Sequence, residues 1–441
     1  PALLIGIMSC IGLIALKRPF HKVMTGTLKP ILGYLMLAAG AGVIVNNLDP
    51  LGKMIEHGFH ITGVVPNNEA IVAVAQKVLG VETMSILVVG LLMNLCIARF
   101  TKFKYVFLTG HHSLFMACLM SAVLGTAGLS GMELILVGGF LMGAWSAISP
   151  AIGQSYTSKV TDGDEIAIGH FGSLGYYLSA WVAQYVGKAE DSTEDIEIPE
   201  KWGFLRDSTL STALTMIVFY LIAAIAAGSE FVSTLSGDMS PYLYAVMSAM
   251  NFAVGVTIVY SGVRMILGDL IPAFQGIATK IIPNAIPAVD CAVFFTYAPT
   301  AVVLGFLSSF IGGIIGMLIL GAVGGVLIIP GLVPHFFCGA TAGIYGNATG
   351  GRRGAAVGAF LNGLAITFLP ALALPVLGQL GFQNTTFGDA DFAVMGLVLG
   401  HAFEWIGMAG IYGIVAIAAL VLIIPNFIKT KGKVINYVEE E

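Results

Sequence analysis

Long apolar runs separated by short polar clusters make up most of this chain. No Asp, Glu, Lys or Arg occurs within 105–132, 208–229, 239–263, 291–351, 354–388 or 405–428. A helix needs about 20 predominantly apolar residues to cross a bilayer, so the pattern predicts an all-α polytopic membrane protein. Eleven spans are predicted, near 2–16, 30–48, 83–98, 105–127, 132–153, 208–229, 241–263, 300–329, 336–350, 354–378 and 405–428. The chain opens inside an apolar stretch, from which we expect its natural N-terminus to lie further upstream.

The places where the apolar pattern fails carry more information. Pro66-Asn67-Asn68-Glu69 precedes an apolar run about half the length of a span. Asn suits an N-cap and an acidic residue suits a first helical turn, so a re-entrant half-helix is predicted over 67–80. A counterpart is predicted over 287–299, from Pro287 through Asp290 to Tyr297 and Pro299, and further short pieces over 166–186 and 392–402. Interrupted backbone at membrane depth has to be buried in protein or line a wet cavity. Half-helix N-termini there offer free N–H groups to an anionic solute.

Two halves are legible as well. Gly138-Gly139-Phe140-Leu141-Met142-Gly143 with Pro150-Ala151 is echoed by Gly358-Ala359-Phe360-Leu361-Asn362-Gly363 with Pro370-Ala371. Gly163-Asp164 is echoed by Gly388-Asp389. Duplicated bundles with a site between them are a transporter architecture. The expected division is a first repeat over 1–207, with a hydrophilic loop at 188–207, and a linking helix plus second repeat over 208–441. The segment 264–280 is read as a connector lying along the membrane surface.

Composition agrees with the pattern. The chain is 57% hydrophobic and 10% charged, against about 25% charged in soluble domains. Lys17, Arg18, Lys22 and Lys29 follow the first predicted span, Arg99, Lys102 and Lys104 the third, and Lys429, Lys431 and Lys433 the last. The positive-inside rule then puts the C-terminus in the cytoplasm. Cys10, Cys96, Cys118, Cys291 and Cys338 stand singly, without the spacing of a metal or redox pair. No Walker A, dinucleotide or H-E-x-x-H pattern is present. We expect no cofactor, no bound metal and no nucleic-acid partner.

Ionisable residues inside apolar stretches are costly and mark ligand or ion paths. They are His111 beside Thr109, His112, His170, Asp290, Glu69 and His335. Imidazoles and a carboxylate together suit a hydroxyl-rich solute. The expected binding set is His111, His170, Asp290, Asn67, Asn68, Glu69, Thr109 and Tyr297. In this picture the helix N-terminus at Asn67-Asn68 faces the solute's negative edge.

Leu108-Thr109-Gly110-His111, Val160-Thr161-Asp162-Gly163 with Ile168-Gly169-His170, Ile282-Pro283 with Val289-Asp290-Cys291, and Ile328-Ile329-Pro330-Gly331 resemble one family closely. It is the ascorbate-type enzyme IIC of the bacterial phosphoenolpyruvate-dependent phosphotransferase system, and the likeness runs from about residue 3 to 425. The resemblance implies a homodimer in the bacterial inner membrane and its lipid, with a substrate-holding core and a V-shaped scaffold in each subunit. It implies inward passage of L-ascorbate or a related sugar acid by an elevator-type movement, with phosphorylation on separate cytoplasmic IIB and IIA proteins. It also assigns binding roles to His111, His170 and Asp290. One departure is visible: Phe115 and Phe171 stand where the family's ascorbate transporters are expected to carry glutamines. On the residues alone, an ion-coupled transporter using Asp290 and a non-transporting sensor both stay open.

Overall fold

A computed structural model describes residues 2–60, 63, 64, 66, 68–163, 165–196, 208–378 and 386–427. The chain begins with α1 (Ala2–Ala15), α2 (Phe20–Gly58) and α3 (Asn68–Phe100). Strand β1 (Tyr105–Phe107), α4 (Gly110–Thr126), α5 (Gly131–Thr161), β2 (Ala167–Ile168) and α6 (Ser173–Val186) follow. Next come α7 (Ser208–Ala227), α8 (Ser229–Ser236), α9 (Pro241–Lys280), β3 (Ile286–Val289) and a 3₁₀ turn at Cys291–Thr296. The described chain then runs through α10 (Pro299–Ala322), α11 (Leu332–Gly378), α12 (Ala390–Ile406) and α13 (Met408–Ile423).

The helices confirm an all-α polytopic membrane protein. Among the described residues seven are long and apolar enough to cross, or eight if α7 and α8, bent by 117°, form one broken span. Not all of the eleven predicted spans reach that length and composition among the described residues. The first, α1, has 14 residues, and α4 has 17 because 105–107 is strand. The pair predicted at 336–350 and 354–378 is present as two helices that meet at non-helical Gly350 and Gly351 within α11. The predicted connector at 264–280 is the continuation of α9, which holds Pro272 inside it. The half-helix predicted at 67–80 is also continuous with the span after it, in α3. Nothing between Gly80 and Thr83 forbids helix; Glu82 is the lone charge there, and Thr83 is satisfied by the Ser121 hydroxyl at 2.8 Å.

Glycine lets particular helix pairs approach closely. In α2 and α9, a Cβ on Gly33 would lie 2.8 Å from Gly262 O, and one on Gly40 would lie 2.8 Å from Gly255 O. Such close approach is how helices associate where lipid supplies no hydrophobic drive. Helices α1, α2, α7, α8 and α9 pack mainly on one another; α3 to α6 and α10 to α13 form a second body. Each half of the sequence contributes to both bodies. The seam between them is apolar and aromatic, with Phe252 against Phe336 (ring centroids 5.0 Å) and Phe219 near Phe306 (6.4 Å). A small apolar cavity opens along it, lined by Met216, Phe252, Val256, Val302, Phe306 and Phe336.

The first part of the 188–207 insertion is packed onto the second body. Asn347 accepts from Thr193 N–H (2.8 Å), and Asp191 O accepts from Arg352 N–H (2.8 Å). Glu194 accepts from the Thr300 and Ala301 amides at the start of α10. Residues 197–207 of the insertion lie outside the described set, as do Lys429, Lys431 and Lys433.

Candidate functional site

Three short strands organise the site. They form a parallel sheet in the order β1-β3-β2, with Tyr105–Phe107 opposite Ile286–Ala288 and Ala167–Ile168 opposite Ala288–Val289. Non-helical backbone at membrane depth needs its polar groups satisfied inside the protein, and the ladder does this. Leu108 N–H donates to Ala288 O (2.9 Å) and Gly169 N–H donates to Val289 O (2.7 Å). Because the strands are parallel, their C-terminal ends emerge on one side. Thr109 and His111 follow β1, His170 follows β2, and Asp290 follows β3.

At that edge His111 Nε2 lies 3.3 Å from Asp290 Oδ2. The contact is close enough for charge attraction but not aligned as a hydrogen bond, so Oδ2 stays without a hydrogen-bond partner among the described residues. The other oxygen, Oδ1, accepts from Ala292 N–H (3.0 Å) and caps the 3₁₀ turn. His111 Nδ1 meets the Tyr34 hydroxyl from α2 at 3.3 Å. Thr109 precedes α4 at the cap position, yet its buried Oγ1 also has no hydrogen-bond partner among the described residues. The His111 side chain is 39% exposed and that of Asp290 10%. The pair therefore opens on one side while the carboxylate sits below it.

His170 lies deeper. Its Nδ1 accepts from Gly172 N–H (3.1 Å) and meets the Tyr176 hydroxyl at 2.8 Å. Its ring lies against His112, with centroids 3.7 Å apart. Below them is an aromatic floor. Phe171 stacks on Phe107 (4.6 Å), and Phe392 meets His112, Phe171 and Phe387. Phe115 and Phe171, where the resemblance leads one to expect amides, belong to this floor and are buried.

The remaining predicted site residues divide. Asn68 joins the site through α12: its amide donates to Asp389 Oδ2 (2.5 Å), and its carbonyl oxygen accepts from Gly388 N–H (2.9 Å). Tyr297 ends the 3₁₀ turn with its ring near Phe294; the structure does not join it to the two histidines or to Asp290. Asn67 lies outside the described residues, as does the side chain of Glu69.

Four contributors lie outside the predicted set: His112, Tyr34, Asp389 and Asp391. Asp389 is buried, and Cys338 donates to its Oδ1 at 2.7 Å. Asp391 accepts from Ser173 Oγ (2.9 Å), Leu174 N–H (2.9 Å) and Trp145 Nε1 (3.2 Å), tying α12 to the start of α6. A signal existed for two of them. His112 adjoins His111, and Asp389 belongs to the repeated Gly-Asp pair; the first-half partner, Asp164, lies outside the described residues.

The arrangement offers two imidazoles, a carboxylate with a free oxygen and an unpaired hydroxyl above an aromatic floor. It can hold a small polyhydroxylated or weakly anionic ring. Against known families, the model described as the PTS system sugar-specific permease component matches residues 1–391. The ascorbate-specific PTS system EIIC component of Mycoplasma pneumoniae is 26% identical over 409 residues, covering 79% of this chain and 61% of that protein.

Proposed function

This chain belongs to the PTS sugar-specific permease family, and from that premise we propose that it binds L-ascorbate or a closely related sugar acid and passes it inward for phosphorylation. The observation that carries the reading is the sheet edge. It gathers Thr109, His111, His170 and Asp290 from distant stretches and leaves Asp290 Oδ2 and Thr109 Oγ1 buried without hydrogen-bond partners among the described residues. A buried polar atom without a partner costs about 1–3 kcal/mol, which a ligand hydroxyl would relieve. His111 and His170 donate to ring oxygens, and Asp290 accepts from a hydroxyl. The name of the Mycoplasma pneumoniae relative supports ascorbate; the aromatic Phe115 and Phe171 favour a ring face over a further amide contact.

Movement is of the elevator kind in this reading. The body of α3–α6 and α10–α13 is the core, and α1, α2 and α7–α9 form the scaffold at a homodimer contact. The apolar, aromatic seam with its small cavity supports sliding, and Tyr34 reaches His111 across it. The close helix contacts made by the two repeated glycine motifs support a duplication with halves at 1–207 and 208–441. Gly143 meets the Gly90 backbone and Gly363 the Ser309 backbone. Phosphoryl transfer takes place on IIB, recharged by IIA, docked at the inner-membrane cytoplasmic face near the 161–165 loop and the 188–207 insertion.

The test is uptake of labelled ascorbate in cells carrying this chain with and without cytoplasmic IIA and IIB. The reading requires phosphorylated product inside, dependent on both partners. Accumulation of unmodified solute without them would instead establish an ion-coupled transporter working through Asp290.

A further inference from the structure

His112 and Asp389 have no part in the substrate contacts proposed so far. One imidazole nitrogen each from His112 and His170 and one carboxylate oxygen of Asp389 lie within 4.8 Å of one another, and all three residues are buried. This is the donor set of a metal site, but the hydrogen bonds around the rings point elsewhere. His112 Nδ1 accepts from Phe171 N–H at 3.2 Å, and His170 Nδ1 accepts from Gly172 N–H at 3.1 Å. A neutral imidazole that accepts at Nδ1 carries its proton on Nε2. A metal-bound imidazole normally ligates with one nitrogen and donates with the other. Here each Nδ1 faces a donor, so the nitrogen left over on both rings is an N–H.

We propose that His112, His170 and Asp389 form a subsite for a single hydroxyl of the substrate. The hydroxyl oxygen accepts from the two imidazole N–H groups, and its proton goes to the Asp389 carboxylate. One O–H with two acceptor lone pairs matches that demand in full. Three atoms that all lie within 4.8 Å of one another share a central point no more than about 2.8 Å from each, within hydrogen-bond reach. An enolate oxygen would satisfy both imidazoles but confront the carboxylate. A C–H group would leave both imidazole N–H groups without an acceptor. The subsite therefore selects a neutral hydroxyl, and the anionic edge of the solute turns away from it. The groups are held in place: Phe392 and Phe115 pack on the His112 ring (5.6 and 5.7 Å), and Asn68 and Cys338 anchor Asp389. The inference rests on the solute lying between His111, His170 and Asp290, since His170 is shared and the rings of His111 and His112 are 4.8 Å apart.

The test is a cycle between protein and ligand, read by calorimetric binding to the purified full chain. The ligands are L-ascorbate and its mono-deoxy and mono-O-methyl derivatives. The parent should bind one derivative roughly tenfold or more weakly than ascorbate, the usual effect of unpairing buried groups. His112→Phe keeps the ring contacts and removes the N–H. It should weaken ascorbate roughly tenfold and abolish most of the preference against that same derivative. His112→Gln, which restores a donor, should recover part of both, and Asp389→Asn should reproduce the loss from the acceptor side. The derivative series needs no variant, so a parent that penalises no derivative overturns the subsite even if a variant misfolds. Ascorbate binding that depends on His111 but is untouched by His112→Phe and Asp389→Asn also overturns the subsite alone. A parent that binds no ascorbate overturns the substrate assignment together with it. Zn²⁺ or Mn²⁺ binding to the parent that is lost in His112→Phe would show a metal site instead.

Discussion

Replacing Asp290 separates two roles that one carboxylate performs. Oδ1 caps the 3₁₀ turn through Ala292 N–H at 3.0 Å, while Oδ2 faces His111 and has no hydrogen-bond partner among the described residues. Asp290→Asn keeps an oxygen for the cap and puts an amide N–H₂ where the free acceptor was. A hydrogen bond from a ligand hydroxyl to a charged group is worth about 1.5–3 kcal/mol, or roughly 10- to 150-fold in affinity. Ascorbate is an anion at neutral pH, so removing a carboxylate also removes repulsion. With the His111 imidazole 3.3 Å from that oxygen, the lost hydrogen bond is the larger effect. Asp290→Asn should therefore weaken ascorbate binding at least tenfold with little change in thermal stability. Asp290→Ala should bind as poorly and in addition lose about 1 kcal/mol of stability with the cap. Calorimetric titration of the detergent-purified chain, paired with a thermal melt, reads both. Affinity equal to or better than that of the parent in Asp290→Asn would refute the assignment of Oδ2 to the ligand.

His111→Ala and His170→Ala should each weaken ascorbate binding roughly tenfold or more, by about 1.4 kcal/mol, whereas Cys118→Ala, on the same helix as His111, should leave affinity unchanged in the same titration. Gly351→Ala should lower the melting temperature, because Gly351 has φ 58° and a Cβ there would strike the Lys188 and Asp191 carbonyls; we expect a loss of at least about 1 kcal/mol. Cysteines placed at Phe252 and Phe336, whose rings are 5.0 Å apart across the seam, should stop uptake when cross-linked and restore it on reduction. Full uptake in the cross-linked state would exclude sliding between the two bodies. Replacing Cys10, Cys96, Cys118 and Cys291 with Ala and Cys338 with Ser, which keeps a donor for Asp389, should leave phosphorylation-coupled uptake largely intact in a cell assay, as the proposed phosphoryl transfer on IIB requires.

The membrane class and the helical character follow from the sequence itself, because a bilayer accepts only segments that satisfy their own backbone, and long uncharged runs announce them. The break at Gly350-Gly351 was legible for a similar local reason: two glycines after Asn-Ala-Thr cannot hold a helix against a tight contact. His111, His170 and Asp290 stood out because ionisable side chains are rare at depth. What joins them was not legible. Tyr105–Phe107 reads as part of a long apolar helix, and Pro287 argues against a central strand, yet β3 pairs on both sides. Three strands of two to four residues have no periodicity to detect; only their mutual hydrogen bonds define them. The continuity of α3 through residues 70–80 was equally hidden, since length and capping residues predict a half-helix as readily as the first part of a longer one. Asp389 and Asn68 meet across 321 positions of sequence, and His112 is set on His170 by the sheet register. Neighbours of that kind are made by packing, which no local pattern encodes.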